Sequence, residues 1–305
     1  MTGEFSFIDR LRTFATHPAA RGLADDAAVL SLPAGEIVVT HDILAEGIHY
    51  LPDTAPHDVA AKLIAVNLSD LAAKGARPLA TVLGYTLGES AWDMAFAAAL
   101  GEVLASHDLP LIGGDTVRLA AASPRVLGLT VVGAGPAGGA PARSDAKAGD
   151  ALWVTGTIGE AGAGLVLCRT GATEPAELVD AYLRPHPLIA EGQALAAHVT
   201  AMMDVSDGLL IDAARMAQAS GLAVSIAIDA VPLSDALITH AGDDRDARLA
   251  AATAGDDYQL LFALPAGQTP PVAATRVGAF AEGEGLALSW QGAPLALPDS
   301  LGFTH

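Results

Sequence analysis

The sequence is poor in cysteine, in basic residues and in long apolar runs, and each shortage excludes a class of protein. Cys168 is the single cysteine in 305 residues, which excludes disulfide bonds within the chain and argues against a cysteine-based zinc site. We expect Cys168 to be a small buried apolar residue rather than a nucleophile. No apolar run reaches the roughly 20 residues that cross a bilayer, and no leading segment resembles a secretion signal. We therefore expect a cytoplasmic protein.

The charge balance limits the partners. The chain has 16 Lys and Arg against 35 Asp and Glu, which gives a formal net charge of −19. Nucleic acids and anionic membranes require basic surfaces that displace counterions, so this balance argues against both. Anionic substrates are compatible with it only where metal ions reverse the local field. Hydrophobic residues at 51% indicate a globular protein, and the length suffices for two domains with packed cores.

Two acids lie at the ends of a predicted strand and a predicted helix in the stretch between residues 37 and 78. The β-branched run 37–40 predicts a buried strand, and Asp42 comes just past its end. Apolar residues at helical spacing predict an amphipathic helix over 58–73, with Asp70 near its end. If the two carboxylates meet at one edge of a sheet, they need a cation between them. The alternative is a pair of solvated loop acids, which is the better interpretation of any single Asp.

Two further acidic positions are candidates for metal or phosphate contact. Asp25 and Asp26 directly precede a short apolar segment that predicts a strand, and like charges in that place repel each other unless each has a partner. Gly113 and Gly114 precede Asp115, and a glycine pair lets a ligand approach the main chain.

A third candidate lies before a predicted amphipathic helix that runs through Ala219. Asp204 and Asp207 are three residues apart, with Ser206 between them, so the two acids are placed to hold metal and the loop amides to reach a phosphate. The alternative is ordinary helix capping by Ser206 or Asp207. Residues 255–258 repeat the small-acid-acid-apolar pattern of residues 24–28.

Residues 133–138 match the dinucleotide-binding pattern G-x-G-x-x-G directly after a predicted strand. That motif needs a following helix whose N-terminus faces the pyrophosphate. Residues 139–150 lack apolar periodicity and contain helix breakers throughout, so we interpret them as an interdomain linker. A flavin- or nicotinamide-binding oxidoreductase stays the alternative function. The sequence has neither the P-loop pattern nor the protein-kinase motifs.

Seven blocks in chain order, which span nearly the whole sequence, resemble the thiamine-monophosphate kinase family. They are ADDAAVL, THDILAEGIHYLPDT, NLSDLAAKGARP, LIGGDT, ARSDAKAGDALWVTGTIGEAGAGL, DVSDGLL and GDDYQLLF. The family belongs to the group that contains aminoimidazole ribonucleotide synthetase and selenophosphate synthetase. The resemblance implies a two-domain α/β (α+β) fold. Residues 1–137 would form an ATP- and metal-binding domain whose mixed sheet pairs across a homodimer, and residues 138–305 an α/β domain, with its sheet covered by helices, that completes the active-site cleft.

The reaction implied by the resemblance is phosphorylation of thiamine monophosphate by ATP with several Mg²⁺ ions, giving thiamine diphosphate in the last step of its biosynthesis. Donor and acceptor are both phosphates, so cations and positioning matter more than a protein base. The acceptor oxygen is already ionised at neutral pH. We therefore expect direct in-line transfer without a phosphoenzyme. A non-catalytic metal-binding dimer is a third hypothesis.

The resemblance also implies roles for individual residues. Asp42, Asp70 and Asp204 would be catalytic. Metal binding would fall to Asp26, Thr40, His41, Asp42, Asp70, Asp115, Asp204 and Asp207. Nucleotide contacts would come from Gly114, Asp115, Arg143 and Ser206, and thiamine-phosphate contacts from His49, Asp256 and Phe303.

Some of these positions have alternatives or depart from the family pattern. The guanidinium of Arg143 matches phosphate geometry, with a solvated linker Arg as the alternative. His49 has two interpretations, a contact to the substrate phosphate or a cap of its own loop. His41 replaces the second hydroxyl residue that the family usually has there, and Asp256 stands where Glu is common. Leu23 and Ala24 replace the end of a Gly-Ile-Gly segment.

Overall fold

The computed structural model describes residues 4–24, 27–32, 34–120 and 123–304. These residues divide into two compact units. The first comprises the described residues up to Leu71 together with Arg77–Gly135, and the second comprises Ala72–Ala76 and the described residues from Pro136 onward. A single boundary after residue 137 therefore does not account for Ala72–Ala76. Among the described helices, none is long and apolar enough to cross a membrane.

The first unit contains a four-stranded mixed sheet. Its helices are α1 (Glu4–Arg12), α2 (Pro56–Ala73, which ends in the second unit) and α3 (Ser90–Ser106), with a 3₁₀-helix at Pro18–Leu23, and its strands are β1 (Ile37–Ala45), β2 (Arg77–Leu87), β3 (Leu111–Arg118) and β4 (Val126–Ala134). The strand order is β1-β4-β2-β3, and only the β2–β3 pair is parallel. The predicted mixed sheet is confirmed.

The predicted helix over 58–73 is confirmed as α2, but it is not amphipathic. Most of its polar side chains are buried as well as its apolar ones, with Asn67 and Ser69 at 0% exposure and Lys62 at 2%. A helix buried on nearly all sides is a core element rather than a surface one. The buried polar groups of α2 must therefore find their hydrogen-bond partners inside the protein.

Strand β1 is longer than predicted, so Asp42 lies within the strand and not past its end. The strand continues because Ile43 and Leu44 extend the β-forming run through His41 and Asp42. Side chains alternate between the faces of a strand, which places Thr40, Asp42 and Leu44 on one face. Val39, His41 and Ile43 occupy the other face, where Val39 is 61% and Ile43 49% exposed.

One other expectation for the first unit needs correction. The short strand predicted after Asp26 is wrong, because residues 27–32 form no strand. Gly101 lies within α3; a Cβ at this position would come within 2.7 Å of the Phe14 ring, so the glycine allows Phe14 to pack against the helix. Leu23, which stands where the family pattern has Ile, takes a left-handed φ of 50°, whereas Ala24, which replaces the second glycine, has an ordinary φ of −125°.

The second unit contains a seven-stranded sheet with helices on both faces. Its helices are α4 (Glu160–Arg169), α5 (Ala176–Leu183), α6 (Ile189–Leu195), α7 (Leu209–Ser220), α8 (Asp235–Ala241) and α9 (Arg245–Thr253). Its strands are β5 (Ala151–Thr155), β6 (Ala201–Asp204), β7 (Ala223–Ala227), β8 (Leu260–Leu264), β9 (Ala274–Ala281), β10 (Gly285–Trp290) and β11 (Ala293–Leu295). Their order is β11-β10-β7-β9-β5-β8-β6, and β7 and β10 pair in parallel.

Strand β8 shows how this sheet is covered. All five of its residues are buried. Leu261 and Ala263 pack in the core cluster that contains Met216 of α7, while Phe262 packs in the cluster that contains Leu195 of α6. A strand buried on both faces reads as a continuous apolar run. The predicted α/β unit with a helix-covered sheet is confirmed.

Residues 135–150 between β4 and β5 contain turns and no helix. The glycine motif at 133–138 therefore lacks the helix N-terminus that a pyrophosphate would face. This agrees with the interpretation as a linker and removes the structural basis of the oxidoreductase alternative.

Candidate functional site

Three oxygen-bearing side chains of the first unit meet between β1 and α2. The hydroxyl of Thr40 donates a hydrogen bond to Oδ2 of Asp70. Asp42 lies on the same face of β1 as Thr40. Burial and the negative charge of Asp70 raise the pKa of Asp42 to about 6. Asp42 and Asp70 are thus an acid pair in which the charge of Asp70 disfavours ionisation of Asp42.

Asn67, which lies on α2 one turn before Asp70, fixes the position of Asp42 on β1. Its buried Oδ1 accepts a hydrogen bond from the Asp42 N–H at 3.0 Å, and its Nδ2 donates to the Leu63 carbonyl at 2.9 Å. Asn67 is a functional residue without a predicted role. A polar amide within the apolar stretch of α2, one turn before an acid, is the feature that marks it.

This acid pair fits a hard divalent cation. Mg²⁺ prefers oxygen ligands, keeps several waters and is often held by one or two carboxylates. Thr40, Asp42 and Asp70 are the residues that would hold it. Within the described part of the chain no group of three or more His, Cys, Asp or Glu side chains assembles a metal site. Asp26, which the sequence places in the metal set, lies outside the described residues.

His41 and His49 make local contacts. The His41 Nδ1 lies 2.8 Å from Oγ1 of Thr130, and its ring covers Gly128, where a Cβ would come within 2.9 Å of it. Strand alternation directs this side chain to the face opposite Thr40 and Asp42, so the ring does not join the acid pair. His49 Nδ1 accepts a hydrogen bond from the Ala45 N–H at 3.0 Å, as the loop-cap interpretation expects.

Gly114 and Asp115 lie inside β3 rather than in a loop. A Cβ on Gly114 would come within 2.5 Å of the Leu83 carbonyl, so only glycine fits there. The register pairs Gly114 with Leu83, Leu83 with Leu129 and Leu129 with Asp42. Three strand spacings therefore separate β3 from Asp42, roughly 14 Å. The structure does not bring Asp115 to the Asp42–Asp70 pair.

A second cluster forms in the second unit, where three segments converge. The Asp256 N–H donates to the Ser206 carbonyl at 2.8 Å, and the Phe303 N–H donates to the Asp207 carbonyl at 2.9 Å. Asp204 is buried at the end of β6, directly before this loop. Phe303 is 46% exposed beside it. Five sequence-predicted site residues therefore come together here.

Residues 256–258 have an unusual backbone. Asp256 and Tyr258 take positive φ angles of 70° and 50°, which only a firmly held segment sustains in non-glycine residues. The buried carboxylate of Asp257 accepts hydrogen bonds from the N–H groups of Gly159 at 2.8 Å and Ala161 at 3.4 Å, at the start of α4. The Tyr258 hydroxyl donates to Oδ1 of Asp256 at 3.0 Å. Asp257 anchors the segment, and Tyr258 orients Asp256.

The loop before α7 is not built as predicted. Gly208 is the N-cap residue, and neither Ser206 nor Asp207 caps the helix through its side chain. The loop amides are also already bonded: Oδ2 of Asp212 accepts from Ser206 at 3.1 Å, Asp207 at 3.0 Å and Gly208 at 3.3 Å. Arg215 pairs with both Asp207 and Asp212. Asp212 and Arg215 were missed because their contacts reach backward to the preceding loop.

Arg143 lies exposed in the segment between β4 and β5. Its carbonyl accepts a hydrogen bond from the Ser220 hydroxyl at 3.3 Å. Among the described residues no acid forms an ion pair with its guanidinium. The structure thus leaves Arg143 exposed beside the C-terminal end of α7, the end opposite the 206–208 loop.

Comparisons with known proteins cover both units. Residues 24–134 match the family described as AIR synthase related protein, N-terminal domain, and residues 147–288 match its C-terminal domain. The thiamine-monophosphate kinase of Salmonella typhimurium is 41% identical over 275 residues, 86% of this chain and 83% of that protein. The chain is thus an AIR synthase related protein.

Two solved structures extend this likeness to the fold. The crystal structure of thiamine-monophosphate kinase from Stenotrophomonas maltophilia K279a superposes with a TM-score of 0.82 at 37% identity, over 96% of this chain and 98% of that one. The structure of AaThiL complexed with AMPPCP and TMP gives a TM-score of 0.78 at 29% identity, over 99% and 97%. Within its class, the chain belongs to the thiamine-monophosphate kinase family.

Proposed function

We propose that this protein transfers the γ-phosphoryl group of ATP to thiamine monophosphate, giving thiamine diphosphate and ADP as the last step of thiamine diphosphate biosynthesis. The relatives named as thiamine-monophosphate kinases and the AaThiL complex with AMPPCP, an ATP analogue, and TMP support this reaction. The observation that carries it is the close pair of Asp42 and Asp70. Two neighbouring carboxylates that are partly buried raise the free energy of the protein when both are ionised, unless a cation lies between them.

Thr40, Asp42 and Asp70 would hold Mg²⁺, which neutralises charge on the phosphates when it is bound. The hydrogen bond from Thr40 orients one oxygen of Asp70, and Asn67 holds the backbone of Asp42. These contacts fix the carboxylates before a ligand arrives. Such preorganisation stabilises the developing charge of phosphoryl transfer without reorganisation during the reaction.

The chemistry needs no protein nucleophile or general base. The terminal phosphate of thiamine monophosphate is ionised at neutral pH, so its oxygen attacks the γ-phosphorus directly. The bond to the β,γ-bridging oxygen breaks, and ADP leaves with the electron pair. Direct in-line transfer without a phosphoenzyme follows from this balance.

The second cluster supplies substrate contacts in this proposal. Phe303 offers an exposed aromatic surface for the rings of thiamine, and the oriented carboxylate of Asp256 offers a hydrogen-bond acceptor beside it. Ser206 and Arg143 remain our predicted nucleotide contacts, as do Gly114 and Asp115. Asp115, Asp204 and Asp207 remain predicted metal residues.

We also propose that the protein is a homodimer joined through the first unit. The outer face of β1 exposes Val39 and Ile43, which flank His41. An apolar sheet face of this kind is suited to a two-fold related copy of itself. The cytoplasm, where ATP is available, stays our predicted location.

Product analysis tests the proposed reaction. The purified protein, ATP and Mg²⁺ are incubated in turn with thiamine monophosphate, thiamine and no acceptor, and products are separated by chromatography. We expect thiamine diphosphate and ADP in equal amounts from thiamine monophosphate alone. Phosphorylation of free thiamine, or ATP hydrolysis at the same rate with and without thiamine monophosphate, would contradict the proposal.

A further inference from the structure

The carboxylate of Asp212 occupies an anion site made by the main chain. The N–H groups of three consecutive residues, 206–208, point at its Oδ2 at 3.0–3.3 Å. Successive amides that converge in this way form a nest that binds phosphates and carboxylates. The Asp212 side chain is fully buried, so the nest is filled from inside the fold.

Arg215 balances the charge of this arrangement. It lies one turn after Asp212 on α7 and bonds Oδ1 of Asp212 at 2.9 Å, while the same Nη1 atom bonds Oδ2 of Asp207. Burial raises the pKa of the Asp212 carboxyl, whereas the hydrogen bonds from the Asp207 N–H and Arg215 oppose that rise. One guanidinium thus holds two acids that would otherwise repel each other.

We propose that Arg215 is a positioning residue of the phosphotransfer site, which fixes Asp207 directly and, through Asp212, the 206–208 loop that presents Ser206. The inference rests on the proposed function, because it gives this loop a part in ATP binding. It also assigns the loop amides to Asp212 and not to a substrate phosphate.

The directions in which nucleotide and metal binding change when Arg215 is replaced distinguish a positioning role of Arg215 from a purely structural one. Without Arg215, the loop keeps both negative charges and loses the cation between them. We expect weaker binding of the anionic nucleotide and tighter binding of a divalent cation at the acids thus released. A general loss of structure would instead weaken both.

The experiment compares Arg215→Met with Arg245→Met by calorimetry. Arg245 also pairs with an acid, Asp246, but at an exposed position on α9, so the control removes the same charge. Three probes are titrated separately into each protein: Mn²⁺ alone, AMPPCP without metal, and thiamine monophosphate. Arg215→Lys, which keeps the positive charge that both acids contact, is the rescue variant.

We expect Arg215→Met to weaken AMPPCP binding about tenfold and to tighten Mn²⁺ binding about threefold. Thiamine monophosphate binding should weaken less than AMPPCP binding, because Asp256 and Phe303 are bonded to the main chain of this loop, whereas Arg215 bonds acidic side chains. Arg215→Lys should restore the Mn²⁺ affinity of wild type, and Arg245→Met should match wild type throughout. Equal weakening of all three probes, or unchanged AMPPCP binding, overturns the inference. If Arg215→Met does not fold, Arg215→Gln takes its place with the same expectations, and unchanged AMPPCP binding by Arg215→Gln overturns the inference. Because binding is measured, a failure of the proposed reaction would appear separately, in product analysis.

Discussion

The hydroxyl of Thr40 and the carboxylate of Asp70 are hydrogen-bonded across a separation of 30 residues in the sequence. The bond joins the middle of β1 to the last turns of α2. Asp42 and Asn67 form a second connection between the same two elements. Strand and helix thus hold the acid pair at a fixed separation, and the charge of that pair governs the predictions for the first unit.

Replacement of Asp42 by Asn should stabilise the metal-free protein while it abolishes turnover. The folded protein raises the pKa of Asp42 to about 6, above the value in an unfolded chain, through burial and then Asp70. The folded state therefore favours the protonated carboxyl of Asp42. The stability that this protonation contributes is present at acid pH and is lost as the pH rises through about 6. At pH 7 with chelator, Asp42→Asn should raise the free energy of unfolding by about 1 to 3 kcal/mol.

Urea unfolding at pH 5 and pH 7 checks this expectation. Wild type should lose stability between these pH values relative to Asp42→Asn. Glu102→Gln, an exposed substitution on α3, serves as the control and should follow wild type. Destabilisation of the metal-free protein by Asp42→Asn at pH 7 would show that the acid pair is compensated within the fold.

Asn67→Leu should reduce both stability and activity. The substitution leaves the Asp42 N–H without its buried acceptor, which costs about 1 to 3 kcal/mol. It also frees the strand segment that carries Asp42, so kcat/KM for thiamine monophosphate should fall at least about tenfold.

Leu68→Met is the matched control, because Leu68 is equally buried on the same helix. A volume-conserving change there should cost less than about 1.5 kcal/mol and leave kcat/KM unchanged. If Asn67→Leu lost stability but kept wild-type kcat/KM, Asn67 would have no positioning role.

Asp256 and Asp257 are adjacent, and their substitutions should have opposite consequences. Asp257→Ala removes the acceptor for the N–H groups of Gly159 and Ala161, at the N-terminus of α4, and should cost about 2 to 4 kcal/mol of stability. Asp256→Asn keeps a residue that tolerates the left-handed backbone, so its stability should stay within about 1 kcal/mol of wild type. Its KM for thiamine monophosphate should rise about tenfold, because a charged acceptor is lost.

Thermal unfolding and initial-rate kinetics on both variants separate these effects. The KM for ATP of Asp256→Asn should match wild type. Equal changes in both KM values would place Asp256 outside the thiamine-phosphate contacts.

Ile43→Lys should convert the proposed dimer into a monomer. Two-fold symmetry would bring the new lysine charge of each copy into the same apolar interface, where neither charge could be solvated. Sedimentation velocity should show a dimer for wild type and a monomer for the variant. Val166→Lys is the control, since Val166 is 57% exposed on α4 of the second unit. A monomeric wild type, or a dimeric Ile43→Lys protein, would argue against this interface.

The strand at 37–40 and the helix at 58–73 could be predicted, because β-branching and apolar spacing are local properties. Two other predictions were wrong: β1 continues past residue 40, which places Asp42 within the strand, and residues 27–32 form no strand. The position of the His41 ring, opposite Thr40, could have been predicted from strand alternation alone. The contacts of Arg215 and Asp212 could not, since they depend on how the 206–208 loop folds back over α7.

The most direct test of the account is transfer of label from [γ-³²P]ATP to thiamine monophosphate by wild type, Asp70→Asn and Glu102→Gln, each with Mg²⁺ and after chelation. Wild type and Glu102→Gln should form labelled thiamine diphosphate with Mg²⁺ and none without it, and readdition of Mg²⁺ should restore the rate. Asp70→Asn should lose at least about a hundredfold in rate, as expected when a group that stabilises transferring charge is removed. Undiminished labelling by Asp70→Asn, or by chelated wild type, would contradict the role of the Asp42–Asp70 pair.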